Sequence, residues 1–388
     1  MLHGLASLVR PGRDLRVDFI RGLALWFIFI DHTPGNLLGS LTLRNVAFVD
    51  ATEVFVLLAG FASGLAYGRM LEREGWANAA ARVAGRCGTL YVAHIFLFVV
   101  FTAQVGFSAA ALDQSAYLDE LALDPFGNDP YRAMLEALLL RYQPHFLDIL
   151  PLYIVLLAMF AAALPLVRRP LVLLGLAMAL YLATRWLGLA LPAWRRPGWF
   201  FNPFAWQLLF AVGVVLARAD PAWLARRFPW HRGMAALAVI LLAAMAVVLN
   251  LVWHGPGRGW NPPDLLAAWV ASVDKTGLHP ARLATVLVAV WLVAHLLPAQ
   301  ARFLASRWAA PFVLMGQQSL PVFCAGIAFS FLGRLALEIS DGLVMLAVVN
   351  LVGLAALVAV GAVAAWYSGE GRRKPTPGLP VTPGTVRH

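Results

Sequence analysis

Two ionisable residues stand out because they lie at opposite ends of one apolar stretch. Arg21 precedes the stretch, and His32 follows it eleven residues later in the sequence. At 100° per residue, that separation is three helical turns plus about 20°, so both side chains share one helix face. They stand about 16 Å apart along the helix axis. A guanidinium binds oxyanions and an imidazole accepts protons, so the pair can bind an anionic group at one end and supply a general base at the other.

Neighbouring residues strengthen the interpretation of the His32 end as a site. Asp31 directly precedes His32, and the Thr-Pro-Gly sequence that follows predicts a break in the helix at a cavity. Glu53 begins the next apolar segment after a short connection, so we expect it at the same level as His32. A carboxylate near a histidine can select its tautomer and raise its basicity, as general-base catalysis requires. Asp31, His32 and Glu53 are therefore the candidate catalytic residues.

Each of these residues also has a structural interpretation. Arg21 can extend to the membrane interface and pair with Asp18, three residues earlier. Glu53 can be an acid at a helix N-terminus, where the helix dipole favours negative charge. His32 can be an interfacial histidine, although the adjacent Asp31 and the helix break favour a functional role.

The composition places these residues in a membrane protein. Of the 388 residues, 61% are hydrophobic and only 13% are charged, whereas about 25% are charged in a typical soluble domain. Two cysteines cannot build a disulfide-rich secreted scaffold. The net charge of +10 would suit a nucleic-acid partner, but the basic residues lie between apolar segments and form no basic face. We expect no nucleic acid among the partners and membrane lipid as the solvent.

Ten apolar segments predict about ten transmembrane helices, because roughly 20 apolar residues span the hydrocarbon core. The predicted windows are residues 17–34, 50–68, 88–107, 146–166, 170–190, 203–217, 234–253, 281–298, 311–332 and 343–367. Most arginines lie in alternate connections, so the positive-inside rule assigns both termini to the cytoplasm. The first segment carries charge and lacks a small-residue cleavage site, so we interpret it as a span rather than a signal peptide.

These features predict an all-α, polytopic integral membrane protein. We expect one membrane domain over residues 1–367 and a disordered cytoplasmic tail over residues 368–388, which contains several prolines. The acidic connection between the third and fourth windows is too polar to cross and is expected on the outer side.

Several sequence blocks resemble the OpgC family of bacterial inner-membrane proteins, a branch of the acyltransferase family 3 superfamily. The first block is DFIRGLALWFIFIDHTPGN at 18–36, whose spacing between Arg and His resembles that of the superfamily. The other blocks are EVFVLLAGFASGLAYGR at 53–69, GTLYVAHIFLF at 88–98, LRYQPHFLDILPLYIVLL at 140–157, GWFFNPFAWQLLF at 198–210, DKTGLHPARL at 274–283 and GQQSLPVF at 316–323. The resemblance extends from about residue 13 to 330.

This resemblance implies transfer of a succinyl group from cytoplasmic succinyl-CoA to hydroxyls of osmoregulated periplasmic glucans. It implies no permanently bound cofactor, since the acyl-CoA is a donor substrate. His32 would take the proton from the glucan hydroxyl, and Arg21 with Asp18 would bind phosphate or carboxylate of the donor. The superfamily usually has two arginines three apart at the third span. The resemblance implies that the corresponding Arg82 and Arg86 also bind the donor, although they stand four apart in this sequence.

Succinyl transfer also requires a partner for the distal carboxylate in a low-dielectric site. Lys275, Arg282 and Arg334 lie near the predicted outer mouth, and the sequence does not select one of them. Other polar residues at the spans can line the same cavity or form interhelical hydrogen bonds. They are His94, His145, Asp148, Asn202, Gln207, Gln317, Gln318 and Ser319.

Alternative functions remain open from the sequence. Buried charges and broken helices also suit an acyl or solute transporter, although no inverted repeat is visible. The protein could pass the acyl group to a second protein, or O-acetylate another extracellular glycan. We expect no metal site, because no two histidines have the i, i+4 spacing of zinc ligands. Cys87 and Cys324 lack a predicted base and are not expected to be nucleophiles. The oligomeric state is not indicated.

Overall fold

The computed structural model describes residues 14–255 and 259–370. Within these two ranges every long regular element is an α-helix, in agreement with the predicted all-α class. In chain order the helices are α1 (Leu15–Asp31), α2 (Leu43–Val46), α3 (Ala51–Ala111), α4 (Ala116–Glu120), α5 (Asp124–Asn128), α6 (Pro130–Leu138), α7 (Ile149–Ala163), α8 (Pro170–Leu187), α9 (Pro203–Arg218), α10 (Pro221–Arg227), α11 (Arg232–His254), α12 (Asp264–Ser272), α13 (Pro280–Leu296), α14 (Ala310–Gln317), α15 (Ser319–Ile339) and α16 (Leu343–Ala365). The predicted tail lies outside the described residues from position 371 onward.

Six helices in the described part of the chain are long and apolar enough to cross a membrane. They are α3, α8, α11 and α15, together with α7 and α16 when their short helical extensions are included. The helices α9 and α10 form a seventh candidate, with a bend of 114° between them. Several apolar helices of this length support a membrane protein.

Each of the ten predicted windows overlaps a helix, but two boundaries differ from the prediction. Windows 50–68 and 88–107 both lie in α3, which has 61 residues. The connection between them is therefore helical, because it consists largely of alanine, arginine and other strong helix formers. Window 311–332 is divided between α14 and α15 at Gln318.

A break at Gly75 divides α3 into two arms. Gly75 has φ 83° and ψ 174°, a left-handed backbone conformation that glycine adopts most easily. No atom lies within 4 Å of a Cβ built at this position, so the backbone conformation, and not lack of space, requires glycine. An uninterrupted helix of 61 residues would extend about 90 Å, roughly three times the hydrocarbon thickness. The break allows each arm to act as a separate span.

Two close helix contacts hold α1 and α3 in the bundle. A Cβ built on Gly22 of α1 would lie 1.8 Å from the carbonyl oxygen of Phe312 in α14. A Cβ built on Gly60 of α3 would lie 2.0 Å from the carbonyl oxygen of Phe210 in α9. Small residues let the helix backbones touch at both places, as in many membrane helix pairs. These contacts fix the positions of the two helices that carry the candidate site.

The connection between α1 and α3 is held against α11 by one asparagine. The carbonyl oxygen of Asn45 accepts a hydrogen bond from Asn250 Nδ2 at 3.1 Å, and Asn45 Oδ1 lies 3.0 Å from His254 Nε2. These contacts position α2, although it contains only four residues. Because α2 also carries Arg44, the backbone of this residue is held near the end of α1.

Candidate active site

A cavity of about 380 Å³ lies where α1 ends and α3 and α7 begin, and we call it the His32 cavity. Its charged and imidazole side chains come from five separate parts of the chain, and its other walls are largely aromatic. The charged and imidazole residues are Asp31, His32, Arg44, Asp50, His145, Asp148, Lys275 and Arg282. The aromatic ones are Phe146, Phe200, Phe201, Trp253 and Phe323. The cavity therefore combines apolar surface with a few convergent polar groups, as small-molecule sites usually do.

His32 occupies the first position after α1. Its backbone N–H donates to the Ile28 carbonyl oxygen at 3.0 Å, which closes the last turn of the helix. The ring centroid lies 4.2 Å from that of Phe146, and Nδ1 is buried without a hydrogen-bond partner. Burial lowers the pKa of His32, and the positive charge of Lys275 acts in the same direction. The imidazole is therefore neutral near neutral pH and can accept a proton.

Asp31 anchors the chain that follows α1. Its Oδ1 accepts a hydrogen bond from the Thr42 hydroxyl at 2.7 Å, and the carbonyl oxygen of Gly39 lies 2.8 Å from the same hydroxyl oxygen. This carboxylate lines the His32 cavity. The hydrogen bond links the end of α1 to the start of α2 and holds the cavity wall in place.

Glu53 has structural contacts rather than a contact with His32. One of its oxygens accepts from the Asp50 backbone N–H at 3.0 Å as part of a capping box at the start of α3. The other accepts from Arg282 Nε at 2.7 Å. Glu53 is fully buried, and within residues 14–255 and 259–370 no hydrogen bond joins it to His32. The expected pairing of Glu53 with the histidine is thus not formed, because Arg282 from α13 occupies the carboxylate.

Asp50 completes an ionic cluster with two of the predicted cations. Its carboxylate forms an ion pair with Lys275 and lies 3.8 Å from Arg282 Nη2. Burial alone would raise the pKa of Asp50, but Lys275, a hydrogen bond with Glu53 and Arg282 together hold it well below its usual range. Lys275 also lies 5.3 Å from the centroid of the Phe201 ring. The charges of Lys275 and Arg282 are therefore largely compensated within the cluster.

Arg334, the third predicted partner for a carboxylate, lies in a different cluster. Its Nη2 is 2.5 Å from Glu120, its Nε is 2.8 Å from Glu338, and its guanidinium lies 4.7 Å from the Tyr117 ring centroid. Arg334 does not line the His32 cavity. The structure therefore brings Lys275 and Arg282 to the cavity but leaves Arg334 outside it.

Arg44 is a cavity residue that the sequence patterns did not reveal. Its guanidinium lies 6.0 Å from the ring centroid of Trp253, and it forms no ion pair with any described carboxylate. Its positive charge acts on both Asp31 and His32, which places it close to them. No signal in the sequence identified Arg44, because it lies in a short connection between two apolar windows.

The other end of α1 carries a compact polar group that we call the Arg21 cluster. Arg21 Nη2 donates to the Leu58 carbonyl oxygen of α3 at 3.1 Å, and its Nη1 lies 3.8 Å from Asp18. Gln317 Nε2 donates to Asp18 Oδ2 at 3.1 Å. Asp18 and Arg21 are both buried. Arg21 does not line the His32 cavity, whose nearest residue on α1 is Ile28, about two turns away.

Arg82 and Arg86 lie in the second arm of α3, beyond Gly75. Arg82 is exposed and Arg86 is half-buried. Neither forms an ion pair with a carboxylate in the described ranges. Both are therefore available to an anionic group from solvent at that end of the bundle.

The remaining polar residues divide between the cavity and the helix contacts. His145 and Asp148 line the His32 cavity, and burial, aided by Arg196, lowers the pKa of His145. Asn202 caps α9, and Gln207 donates to the Ala177 carbonyl oxygen at 2.8 Å. His94 is fully buried away from the cavity. The polar residues predicted from the sequence thus include both site residues and interhelical hydrogen bonds.

Comparison with protein-family models gives one finding. A model described as OpgC protein matches residues 13–369, a range that contains every α-helix of the described residues. No curated protein and no solved structure matches the chain.

Proposed function

The chain belongs to the OpgC protein family, and from that membership we propose that it is a membrane O-acyltransferase that moves a succinyl group to osmoregulated periplasmic glucans. The family membership supports an acyltransferase. The observation that carries the finer proposal is the His32 cavity, which holds a neutral imidazole. Two cations of this cavity, Lys275 and Arg282, are paired with buried acids, and the third, Arg44, is paired with no described carboxylate. An anionic acyl group and a sugar hydroxyl can meet in such a space.

The proposed arrangement has about ten spans in the bacterial inner membrane, with both termini in the cytoplasm and the His32 cavity toward the periplasm. The distribution of arginines between alternate connections supports this orientation. The break at Gly75 and the overlap of every predicted window with a helix support the number of spans. The cavity would then open toward the glucan, and the Arg21 cluster would face the pool of acyl-CoA.

His32 acts as the general base in the proposed reaction. The glucan hydroxyl oxygen attacks the thioester carbonyl carbon of succinyl-CoA, so that a C–O bond forms and the C–S bond breaks. The hydroxyl proton passes to the His32 imidazole and then to the leaving sulfur of CoA. A neutral ring at the cavity wall, with an Nδ1 that has no hydrogen-bond partner among the described residues, supports this role.

The donor enters from the Arg21 end. A guanidinium always carries charge and binds phosphate or carboxylate oxygens in a fork, which suits Arg21, Arg82 and Arg86 for the donor head group. Asp18 would contribute to the donor site by orienting the Arg21 guanidinium. The extended acyl-pantetheine arm would follow α1 from Arg21 past Ile28 to His32, a path of about 16 Å. In the described structure the helices close this path between Arg21 and Ile28, so donor entry requires α1 and α3 to separate there.

Arg44 binds the distal carboxylate of the succinyl group. Lys275 and Arg282 already pair with Asp50 and Glu53, so a further carboxylate would have to compete with these buried acids. Arg44 lines the same cavity and pairs with no described carboxylate. Its planar guanidinium can form two parallel hydrogen bonds with a carboxylate, which neutral acyl groups cannot accept.

The decisive experiment compares periplasmic glucans from cells with and without the gene. We expect loss of an anionic substituent with the mass of a succinyl group, detected by mass spectrometry and charge separation. A neutral substituent with the mass of an acetyl group would favour the O-acetyltransferase alternative. Unchanged glucans would contradict the proposed acceptor and favour transport of an acyl group or another solute.

A further inference from the structure

A second cavity, of about 230 Å³, adjoins the His32 cavity, and we call it the Arg195 cavity. Phe200 lines both cavities and is 39% exposed. Arg196 lines the Arg195 cavity, and its Nη2 lies 3.3 Å from Nε2 of His145, which lines the His32 cavity. The two spaces are therefore neighbours that share an aromatic wall.

Two of the three guanidinium groups that line the Arg195 cavity are paired with carboxylates, and the third, that of Arg196, lies against His145. Arg195 Nη1 lies 4.0 Å from Asp124 Oδ2, and Arg141 Nε lies 3.3 Å from Glu136 Oε2. Paired guanidinium and carboxylate groups present both hydrogen-bond donors and acceptors without a strong net charge. Such paired groups are well suited to hydroxyl groups, each of which both donates and accepts.

Aromatic rings supply the other wall of this cavity. Tyr142 and Trp194 pack edge to face with their ring centroids 5.2 Å apart, and Phe200 presents its ring at the opening. A pyranose ring has apolar C–H faces and a polar rim of hydroxyls. Its shape therefore matches a pocket with ring surfaces on one side and balanced ion pairs on the other.

A β-bridge and two hydrogen bonds hold the backbone around the Arg195 cavity. A bridge joins Ala193 to Arg196, and Arg195 between them has φ 63°, a left-handed conformation that is costly for a residue with a side chain. The Trp194 backbone N–H donates to the Arg141 carbonyl oxygen at 2.7 Å, and the Tyr142 hydroxyl donates to the Ala122 carbonyl oxygen at 2.7 Å. Three connections of the chain thus hold the turn that presents Arg195.

We propose that the Arg195 cavity is a binding subsite for a hexose unit of the acceptor glucan, next to the unit that is acylated beside His32. This inference rests on the proposed function, because it takes the acceptor to be a sugar polymer. A continuous line of contacts connects the two positions: the His32 ring lies against Phe146, and the adjacent His145 contacts Arg196. Because of this subsite, the protein binds a glucan more tightly than a single sugar. The subsite raises the affinity for the acceptor and does not change the rate of the chemical step.

Two variants test the subsite by binding alone. Arg195→Gly removes the guanidinium and places glycine where the left-handed backbone favours it, so folding should not suffer. Phe200→Ala removes an exposed ring. Arg132→Ala is the matched control, because Arg132 also lies 5.6 Å from the Trp194 ring centroid but does not line the cavity.

The experiment titrates the full-length protein in detergent with unsubstituted periplasmic glucan from cells lacking the gene, and separately with glucose, by calorimetry. We expect Arg195→Gly and Phe200→Ala each to weaken glucan binding about tenfold, with Arg132→Ala near the wild type. The unfolding temperature of Arg195→Gly should be no lower than that of the wild type. Equal glucan affinity in all variants, or wild-type binding of glucan no tighter than of glucose, would overturn the subsite.

The outcomes separate the subsite from the proposed reaction. Subsite-dependent glucan binding together with absent succinyl transfer would support the subsite and contradict the reaction. Succinyl transfer that depends on His32, with glucan affinity unaffected by Arg195→Gly and Phe200→Ala, would support the reaction and contradict the subsite. A wild-type protein that binds no glucan would contradict both.

Discussion

The two ends of α1 carry similar residues in the sequence but have different structures. At one end, Arg21 and Asp18 are buried among α3 and α14, and the backbones of α1 and α14 are in close contact at Gly22. At the other end, Asp31 and His32 border a cavity of about 380 Å³. Charge at a helix end is therefore compatible with two outcomes: a closed polar contact that holds helices together, and an open site.

The difference follows from what surrounds each end. The Arg21 guanidinium satisfies a backbone carbonyl of α3 within a glycine-mediated helix contact. The chain after His32 leaves the helix at a Thr-Pro-Gly sequence, so the neighbouring helices cannot close over it. We expect the residues of the open end to determine the reaction rate, and those of the closed end to determine stability and donor entry.

The substitution His32→Ala should have the largest effect. We expect it to reduce succinyl transfer by at least about a hundredfold, because general-base catalysis typically contributes 10²- to 10⁴-fold. The rate is measured with purified protein in vesicles, succinyl-CoA and unsubstituted glucan. The unfolding temperature should remain near that of the wild type, since the buried Nδ1 makes no hydrogen bond that the substitution would remove.

The matched control for this substitution is His231→Ala. His231 is exposed at the start of α11 and makes no capping hydrogen bond with its side chain, so both rate and stability should be unchanged. A transfer rate for His32→Ala within a few-fold of the wild type would remove His32 from the mechanism and would make the open end of α1 a binding region only.

The substitution Arg21→Gln tests the closed end. It removes the cation 3.8 Å from the buried Asp18 carboxylate, so we expect a loss of stability on the order of 3 kcal/mol. Thermal unfolding in detergent measures the loss. The double variant Asp18→Asn with Arg21→Gln removes both charges and should recover most of the stability.

Kinetics of the same double variant then separate packing from donor binding. If Arg21 binds the donor, the double variant should fold well but require a higher succinyl-CoA concentration for half-maximal rate. A double variant with recovered stability and an unchanged KM for succinyl-CoA would show that the Arg21 cluster has a structural role only and is not part of the donor site.

The substitution Glu53→Gln distinguishes the ionic cluster from the catalytic base. It weakens the contact with Arg282, so we expect a loss of about 2 kcal/mol in stability. The transfer rate should fall by less than about tenfold, because Glu53 does not contact His32. A rate loss as large as that of His32→Ala, with stability unchanged, would indicate instead that Glu53 governs the histidine.

The sequence predicted the local features of this molecule well. Helical periodicity placed Arg21 in α1 and His32 at the end of that helix, and the apolar windows located the helices. The small residues that follow Glu53 in the sequence are typical of close helix packing, which the contact at Gly60 provides. These features depend on neighbours within a few turns, which a single sequence records directly.

The pairings between distant residues could not be predicted in the same way. Glu53 binds Arg282, which is 229 positions away, and Arg44 reaches the cavity only because Asn45 binds α11. No periodicity encodes which buried acid meets which cation. For the same reason, the sequence could not select a carboxylate partner among Lys275, Arg282 and Arg334. The structure places only the first two at the cavity.

The smallest predicted effect belongs to Arg44→Gln, which tests how the open end selects its acyl group. We compare succinyl-CoA with butyryl-CoA, which has the same chain length and no distal carboxylate. The wild type should prefer succinyl-CoA, and Arg44→Gln should reduce that preference about tenfold, because one charged hydrogen bond in a partly exposed position is lost. Arg44→Lys should restore part of the preference, since it keeps the charge but not the fork.

The control for this comparison is Arg185→Gln, because Arg185 pairs with Asp274 and does not line the cavity. An unchanged preference in Arg44→Gln would indicate that Lys275 or Arg282 binds the distal carboxylate of the succinyl group instead. Binding there would have to displace Asp50 or Glu53 from its cation. Such displacement predicts that succinyl-CoA lowers the stability of the start of α3, whereas binding by Arg44 predicts that it does not. Hydrogen exchange at the amides following Asp50, with and without succinyl-CoA, therefore decides which cation of the open end recognises the acyl group.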